Sequence, residues 1–306
     1  MEFSHKPVML CETIEALGIR PDGIYVDGTV GGAGHSLEIA KRLSAGRLFA
    51  FDRDPDAIAA AAERLKGYNA TIINGNFDTM REALKAYGVF SVDGVLLDLG
   101  VSSYQLDNAS RGFSYRQDAP LDMRMEKAGV SAADIVNSYS KEELIRVFRE
   151  YGEERFAEKI ANRITEKRQE RRITGTVELA QIIASCMPAA LRRDGNPARR
   201  CFQALRIEVN GELKSLDKGL DEAFELLKPG GVLAVITFHS LEDRAVKQKF
   251  KEFCTGCTCP PDFPVCVCGK KPAGELALKK PVTASERELE ENQRSRSAKL
   301  RAVRKI

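Results

Sequence analysis

The stretch Ile24-Tyr-Val-Asp-Gly-Thr-Val-Gly-Gly-Ala-Gly-His35 decides the fold. It reads as a short buried strand, a glycine-rich turn and a helix that begins near His35. Gly28, Gly31, Gly32 and Gly34 lack a Cβ, so the turn can take left-handed conformations and admit a ligand close to the backbone. A strand that turns this way into a helix N-terminus is the usual start of a nucleotide-binding α/β domain. The dinucleotide spacing G-x-G-x-x-G is not met, because Gly32-x-Gly34 meets Leu37 at the third place. Four glycines can also make a tight turn and nothing more, so this stretch alone leaves nucleotide binding open.

Outward from it, strand and helix patterns alternate. Arg47-Leu-Phe-Ala-Phe-Asp52 reads as a second strand, and Pro55 opens an alanine-rich helix. An acid at the end of the second strand suits ribose hydroxyls, because a carboxylate can accept from both. Asp52 lies 18 residues beyond Gly34 and takes that role; Asp54 is left to cap the helix. Ala70-Thr-Ile-Ile73 is a third strand, followed by Phe77, a ring that can lie against a purine or simply join the core. Val92-Asp-Gly-Val-Leu-Leu-Asp98 is a fourth. Three strands therefore deliver Asp27, Asp52 and Asp98 to one edge, where open α/β sheets bind their ligands. This convergence is more specific than the glycines.

The rhythm then stops. From Gln105 to about Asn210 no strand is legible. Helix-period stretches run over Lys141 to Tyr151, Glu154 to Arg171 and Thr176 to Met187, and another opens near Ala198. Arginines bunch at Arg168 to Arg172, Arg192-Arg193 and Arg199-Arg200, either as a solvated face or as a phosphate-binding surface. Glu212 to Leu227 is amphipathic and ends at Lys228-Pro-Gly-Gly231. Val232 to His239 is the most hydrophobic strand, and Ser240 to Asp243 resembles a capping box. A final alternating stretch, Ala298 to Ile306, reads as a strand. The expected fold class is α/β, a Rossmann-like, mostly parallel, doubly wound sheet. The expected division is 1–104 and 211–306 for the sheet domain and 105–210 for an inserted helical domain.

Bulk properties narrow the function classes. The chain has 306 residues, 43% hydrophobic and 30% charged, with net charge +3, so any nucleic-acid surface is a local patch. No run of 18 apolar residues is present, and Met1 to Leu17, with Glu2, Glu12 and Glu15, is not a secretory signal. A cytoplasmic protein is expected. Of eight cysteines, Cys11, Cys186 and Cys201 are scattered. Cys254, Cys257, Cys259, Cys266 and Cys268 cluster in the loop 254–268 with spacing that resembles zinc ligation; the alternative is a proline-stiffened loop of thiols.

These residues resemble a class I S-adenosylmethionine methyltransferase. More narrowly, several motifs resemble the bacterial small-subunit ribosomal RNA cytosine-N4 methyltransferases of the MraW type. They are Asp27-Gly-Thr-x-Gly-Gly-x-Gly-His35-Ser, Asp52-Arg-Asp-Pro55, Leu97-Asp-Leu-Gly-Val-Ser-Ser103, Arg111-Gly-Phe-Ser114, Pro120-Leu-Asp-Met-Arg124, Tyr151-Gly-Glu-Glu-Arg-Phe156 and Phe238-His-Ser-Leu-Glu-Asp-Arg244. They run in order over nearly the whole chain. The cysteine loop lies outside the pattern tied to the family's activity. The resemblance implies a substrate domain inserted after the fourth strand. It implies that Ala33, Gly34 and His35 line the methionine end of S-adenosyl-L-methionine, that Gly32 also binds the cofactor and that Asp52 holds the ribose. It further implies that Phe77 and Asp98 border the adenosine and that Gln105 also touches the cofactor. The implied substrate is a cytidine of small-subunit ribosomal RNA, with the assembled particle preferred.

Methyl transfer to cytosine N4 needs no metal, because the sulfonium is already activated. It needs the amine placed in line and an acceptor for its proton. Asp98, or the carbonyls and hydroxyls of the Leu99–Ser103 loop with Ser102 and Ser103, are the candidates by position; Asp98 cannot easily serve both cofactor and base, so the loop takes the base role. Arg111, Arg116 and Arg124, among aromatic neighbours, and Arg199 and Arg200 are candidate RNA contacts. Rival readings are an NAD-dependent oxidoreductase, a zinc- and RNA-binding assembly factor, and a methyltransferase acting on another RNA, a protein or a small molecule.

Overall fold

Apolar residues at period two give a buried strand two different faces, and each face needs its own cover. The computed structural model describes residues 7–189, 196–257, 259 and 268–306. The strands are β1 (Ile24–Asp27), β2 (Arg47–Asp52), β3 (Ala70–Asn74), β4 (Val92–Asp98), β5 (Leu227–Thr237), β6 (Gly274–Leu276), β7 (Val282–Thr283) and β8 (Lys299–Lys305). They form one sheet in the order β3-β2-β1-β4-β5-β8-β6, with β7 also paired to β8. The first five are parallel, and β8 runs antiparallel to β5. Leu48, Ala50, Leu96, Ala234 and Ile236 pack into one apolar cluster with Leu17 and Ile39. Their neighbours Phe49, Phe51, Val95, Leu97 and Val235 pack into another, with Leu220, Phe224 and Phe250. The expected α/β, mostly parallel, doubly wound sheet is therefore the one observed.

The chain divides into two units, Met1–Gly100 with Leu213–Ile306, and Val101–Glu212. The first holds the sheet. The second holds the helices Ser103–Asp107, Ala132–Ser138, Lys141–Glu150, Ala157–Glu170, Thr176–Ser185 and Arg199–Asn210. Met123, Leu144, Phe148, Ile160, Leu179 and Leu205 lie in its own apolar core. Among its described residues the β pairing is one isolated bridge, Pro120 to Gly175. No helix among the described residues is long and apolar enough to cross a membrane.

Three local readings change. Ala132–Ser138 is a helix too short to show a period; Ser131 and Asp134 close a capping box at its start. The strand after Glu212–Leu226 begins at Leu227, and pairing jumps from Val92–Leu227 to Gly94–Val232, so Pro229-Gly-Gly bulges from the ladder. The helix Ser240–Cys254 is capped by His239 rather than Ser240. His239 stays extended, its Nδ1 accepts from Glu242 N, and Glu242 Oε2 accepts from His239 N. Asp243 is drawn instead to Lys299 and Arg301 on β8.

Gly219, within Glu212–Leu226, supports the strand-end region from below. Any Cβ there would overlap the ring of Phe77. Alanine normally stabilises a helix interior by about 0.5–1 kcal/mol over glycine. Here Gly219→Ala is expected to destabilise the chain, read as a lower urea midpoint at unchanged m-value. In a Phe77→Ala background the same substitution should recover its ordinary stabilising sign.

Candidate active site

The turn after β1 is built by backbone hydrogen bonds to both flanking strands. Gly28 N donates to Leu96 O of β4, and Val30 N to Phe51 O of β2, each at 2.8 Å. Gly31 N donates to Asp52 Oδ2 at 2.9 Å. The left-handed positions are Gly31 (φ 48°) and Ala33 (φ 57°), not Gly28 or Gly34. Those two glycines serve close packing: a Cβ at Gly28 would crowd Leu97 and Phe77, and one at Gly34 would overlap the ring of Pro7. Gly32 O accepts from Arg64 Nη1 at 2.8 Å.

The three acids do different things. Asp27 is buried; Ser36 Oγ donates to its Oδ2 at 2.6 Å and Thr29 N to its Oδ1 at 3.1 Å. Burial nonetheless pushes its pKa up to about 6. Asp27 is thus a clasp between β1 and the helix Gly34–Ala40. Asp52 accepts from Gly31 N and, through Oδ1, from Asp54 N at 2.9 Å. Burial raises its pKa, and these N–H groups oppose the rise. A carboxylate has about four lone-pair sites, so Asp52 keeps some capacity to accept from a ligand. Asp54 caps Pro55–Arg64 by accepting from Asp56 N, as its position implied.

Asp98 lies against His35. His35 Nε2 is 3.0 Å from Val8 O, an atom that only accepts, so Nε2 carries the proton. Burial lowers the ring's pKa to about 4, which leaves it neutral near pH 7. Its Nδ1 then presents a lone pair to Asp98 Oδ2, 3.5 Å away. A carboxylate would be repelled there, whereas a protonated Asp98 is attracted. The Asp98 pKa is indeed raised well above its ordinary value, by burial first and then by Asp27 and Glu242. Asp98 Oδ1 is buried and has no hydrogen-bond partner among the described residues. Thr29 was not singled out from sequence, yet its Oγ1 accepts from Asp98 N at 2.6 Å. Neither were Ser36 and Val8, whose roles come from contacts nine and 27 residues away in sequence.

Phe77 is half-buried in a short 3-10 turn after β3, between Gly28 and Gly219. In the helical unit, Ser102 and Gln105 form a reciprocal capping box on Ser103–Asp107. Gln105 N donates to Ser102 Oγ and Ser102 N to Gln105 Oε1, which commits the Ser102 oxygen to the helix start. Ser103 is half-buried at the first position of that helix.

The arginine candidates separate. Arg111 is corrected: it is buried, and its Nη2 donates to the carbonyls of Arg124 and Met125, both at 3.0 Å, so it shapes a loop rather than meeting phosphate. Arg124 is corrected likewise; it pairs with both Asp122 oxygens, at 2.7 and 2.9 Å, and donates to Gly129 O. Arg116, Arg199 and Arg200 are exposed, Arg200 with one nitrogen on Glu153 O at 3.2 Å. Arg192 and Arg193 lie outside the described residues. Of the five cysteines, only the place of Cys254 is corrected. Cys257, Cys259 and Cys268 come together, Cys254 packs against the apolar cluster of the sheet unit, and Cys266 lies outside the described residues.

A family model described as the MraW methylase family matches residues 2–306. The chain is 55% identical over 311 residues to "Ribosomal RNA small subunit methyltransferase H 2" of Agathobacter rectalis, covering 100% of this chain and 99% of that one. It is 55% identical over 309 residues to "Ribosomal RNA small subunit methyltransferase H" of Clostridium botulinum, covering 100% of both. A protein of the same name from Lachnospira eligens is 54% identical over 311 residues, covering 100% of this chain and 99% of that one.

Burial of Asp27 and His35 makes two opposite contributions to stability. Asp27 holds its proton in the folded chain up to about pH 6, against an ordinary pKa of 3.8. Its contribution is full below 3.8 and is lost as pH rises through 6. His35 is neutral in the folded chain down to about pH 4, against an ordinary 6.5; its contribution is full above 6.5 and is lost as pH falls through 4. Asp27→Asn should therefore make stability rise more steeply with pH across pH 4–6 than in the parent. His35→Gln should make it fall more steeply, each by up to about 1.4 kcal/mol per pH unit. Urea unfolding at fixed ionic strength measures both slopes; a parent-like slope in Asp27→Asn would reject the burial account.

Proposed function

This chain belongs to the MraW methylase family, and we propose that it transfers a methyl group from S-adenosylmethionine to the N4 amine of a cytidine in small-subunit ribosomal RNA. The observation that carries this reading is the pair of strand-end acids on either side of β1. Asp52 keeps accepting capacity, and Asp98 keeps a buried, unpartnered Oδ1. Ligands rich in hydroxyl and amine donors suit such acceptors. The relatives' names supply the RNA, and the motif resemblance supplies the N4 atom.

The residues present fit the cofactor. Asp52 would hold the ribose hydroxyls, and Phe77 and Asp98 would border the adenosine. Gly32, Ala33, Gly34 and the backbone at His35 would face the methionine end; the His35 ring is taken up by Val8 and Asp98. When bound, the cofactor supplies an activated methyl group on sulfur.

The protein's task is then to place N4 at roughly 3–3.5 Å along the line of attack. The N4 lone pair is delocalised into the cytosine ring. Asp98 Oδ1, accepting a hydrogen bond from the amine, helps localise that pair. Because Asp98 is held protonated against His35, the proton that N4 loses after transfer passes to solvent. The cytidine has to leave its stack to reach the site, at a cost of a few kcal/mol. Exposed Arg116, Arg199 and Arg200 supply phosphate contacts that hold the RNA, in the assembled subunit preferentially.

The deciding experiment is transfer from labelled S-adenosylmethionine to small subunits lacking the modification, to naked ribosomal RNA and to a protein extract, followed by digestion to nucleosides. Label in N4-methylcytidine, mainly from subunits, is expected; label in protein or in another nucleoside would move the acceptor. Asp52→Ala should weaken cofactor binding about tenfold or more through lost charge-assisted hydrogen bonds. Unchanged affinity by calorimetry would remove Asp52 from the site. Arg199→Ala with Arg200→Ala should weaken RNA binding and flatten its salt dependence by up to about two counterions, with cofactor affinity unchanged.

A further inference from the structure

We propose that Cys257, Cys259 and Cys268 bind a zinc ion that closes the long connection between the helix Ser240–Cys254 and β6. The inference is independent of the methyl-transfer reading.

The sulfur geometry comes first. The three Sγ atoms all lie within 4.8 Å of one another. Cys268 Sγ is 3.7 Å from Cys257 Sγ. Zinc–thiolate bonds of about 2.3 Å in a tetrahedron put neighbouring sulfurs about 3.8 Å apart, whereas a disulfide holds them at about 2.05 Å. The Cys257–Cys268 separation is that of two corners of a metal site. Cys259 N also donates to Cys257 Sγ, at 3.4 Å.

The same geometry excludes Cys254, although it stands at the start of the C-x-x-C spacing. Its sulfur is not in the group. It packs against the apolar cluster of the sheet unit, and burial, then Glu275, pushes its thiol pKa up. Cys254 therefore behaves as a small core residue, not a ligand.

The fold supplies a need for the ion. Ala273 N donates to Phe253 O at 2.9 Å, so the connection leaves and re-enters the unit at one neck. Phe253 anchors that neck by stacking on Phe224, with ring centroids 3.9 Å apart. Beyond it, none of the described residues from Thr255 to Ala273 is buried. Apolar burial therefore does not hold these described residues in place. A metal clip removes the chain entropy that burial elsewhere offsets. Binding exchanges three S–H protons for three S–zinc bonds, with the protons released to solvent. A fourth donor, water or another side chain, completes the tetrahedron.

The test uses the untagged full chain, expressed in zinc-supplemented medium and purified without chelator. Elemental analysis should find about one zinc per chain in the parent and in Cys254→Ser. Cys257→Ser, Cys259→Ser and Cys268→Ser should each lose most of it. Replacing zinc by cobalt(II) should give sulfur-to-metal charge-transfer absorption and the intense visible bands of a tetrahedral ion, in Cys254→Ser as in the parent. A parent chain without metal, or a Cys257/Cys259/Cys268 triple serine variant that keeps it, would overturn the proposal. So would a thiol count that shows Cys257 and Cys268 joined as a disulfide in the protein as isolated.

Discussion

The hydrogen bond from Gly31 N to Asp52 Oδ2 ties the turn after β1 to the end of β2, and the strand-end region is built around it. Parallel strands that share a sheet end on one edge, so any acids at their ends are brought together. Three acids arrive here, and burial makes each of them costly as an anion. The turn answers by aiming Gly31 N at Asp52, and Asp54 N donates to its other oxygen. Ser36 and Thr29 answer at Asp27.

Asp98 is relieved differently, by a neutral imidazole rather than by donors. Burial holds His35 neutral, and Val8 O at its Nε2 fixes the tautomer. That carbonyl belongs to a segment clamped from the far end of the chain. Met9 N donates to the buried Glu288 at 2.7 Å, and Pro7 fills the space a side chain at Gly34 would need. The segment that holds the His35 ring is thus fixed by a contact between residues almost 280 positions apart in sequence.

The basic residues show the same separation of construction from exposure. Arg111, Arg124 and Arg168 spend their donors on carbonyls and carboxylates within the helical unit. Guanidinium groups suit this work, since their five N–H donors satisfy several loop carbonyls at once. Arg116, Arg199 and Arg200 remain at the surface, where phosphate can reach them.

Period, turn chemistry and strand-end position made the parallel strands, the helical interruption and the acids at positions 27, 52 and 98 legible, because each depends on residues near in sequence. Asp54 as a cap and Lys299–Lys305 as a strand were readable for the same reason. The division of labour among the acids was not, since it rests on Ser36, Thr29, Val8 and Gly31 reaching particular oxygens in three dimensions. Nor was the burial of Arg111, which looks like any loop arginine until Met125 O and Arg124 O close around it. The sequence by itself determined which chemical groups the sheet edge would carry. Tertiary structure alone decided their protonation, their free lone pairs and which cysteines meet, because desolvation and hydrogen bonding depend on neighbours in space, not in sequence.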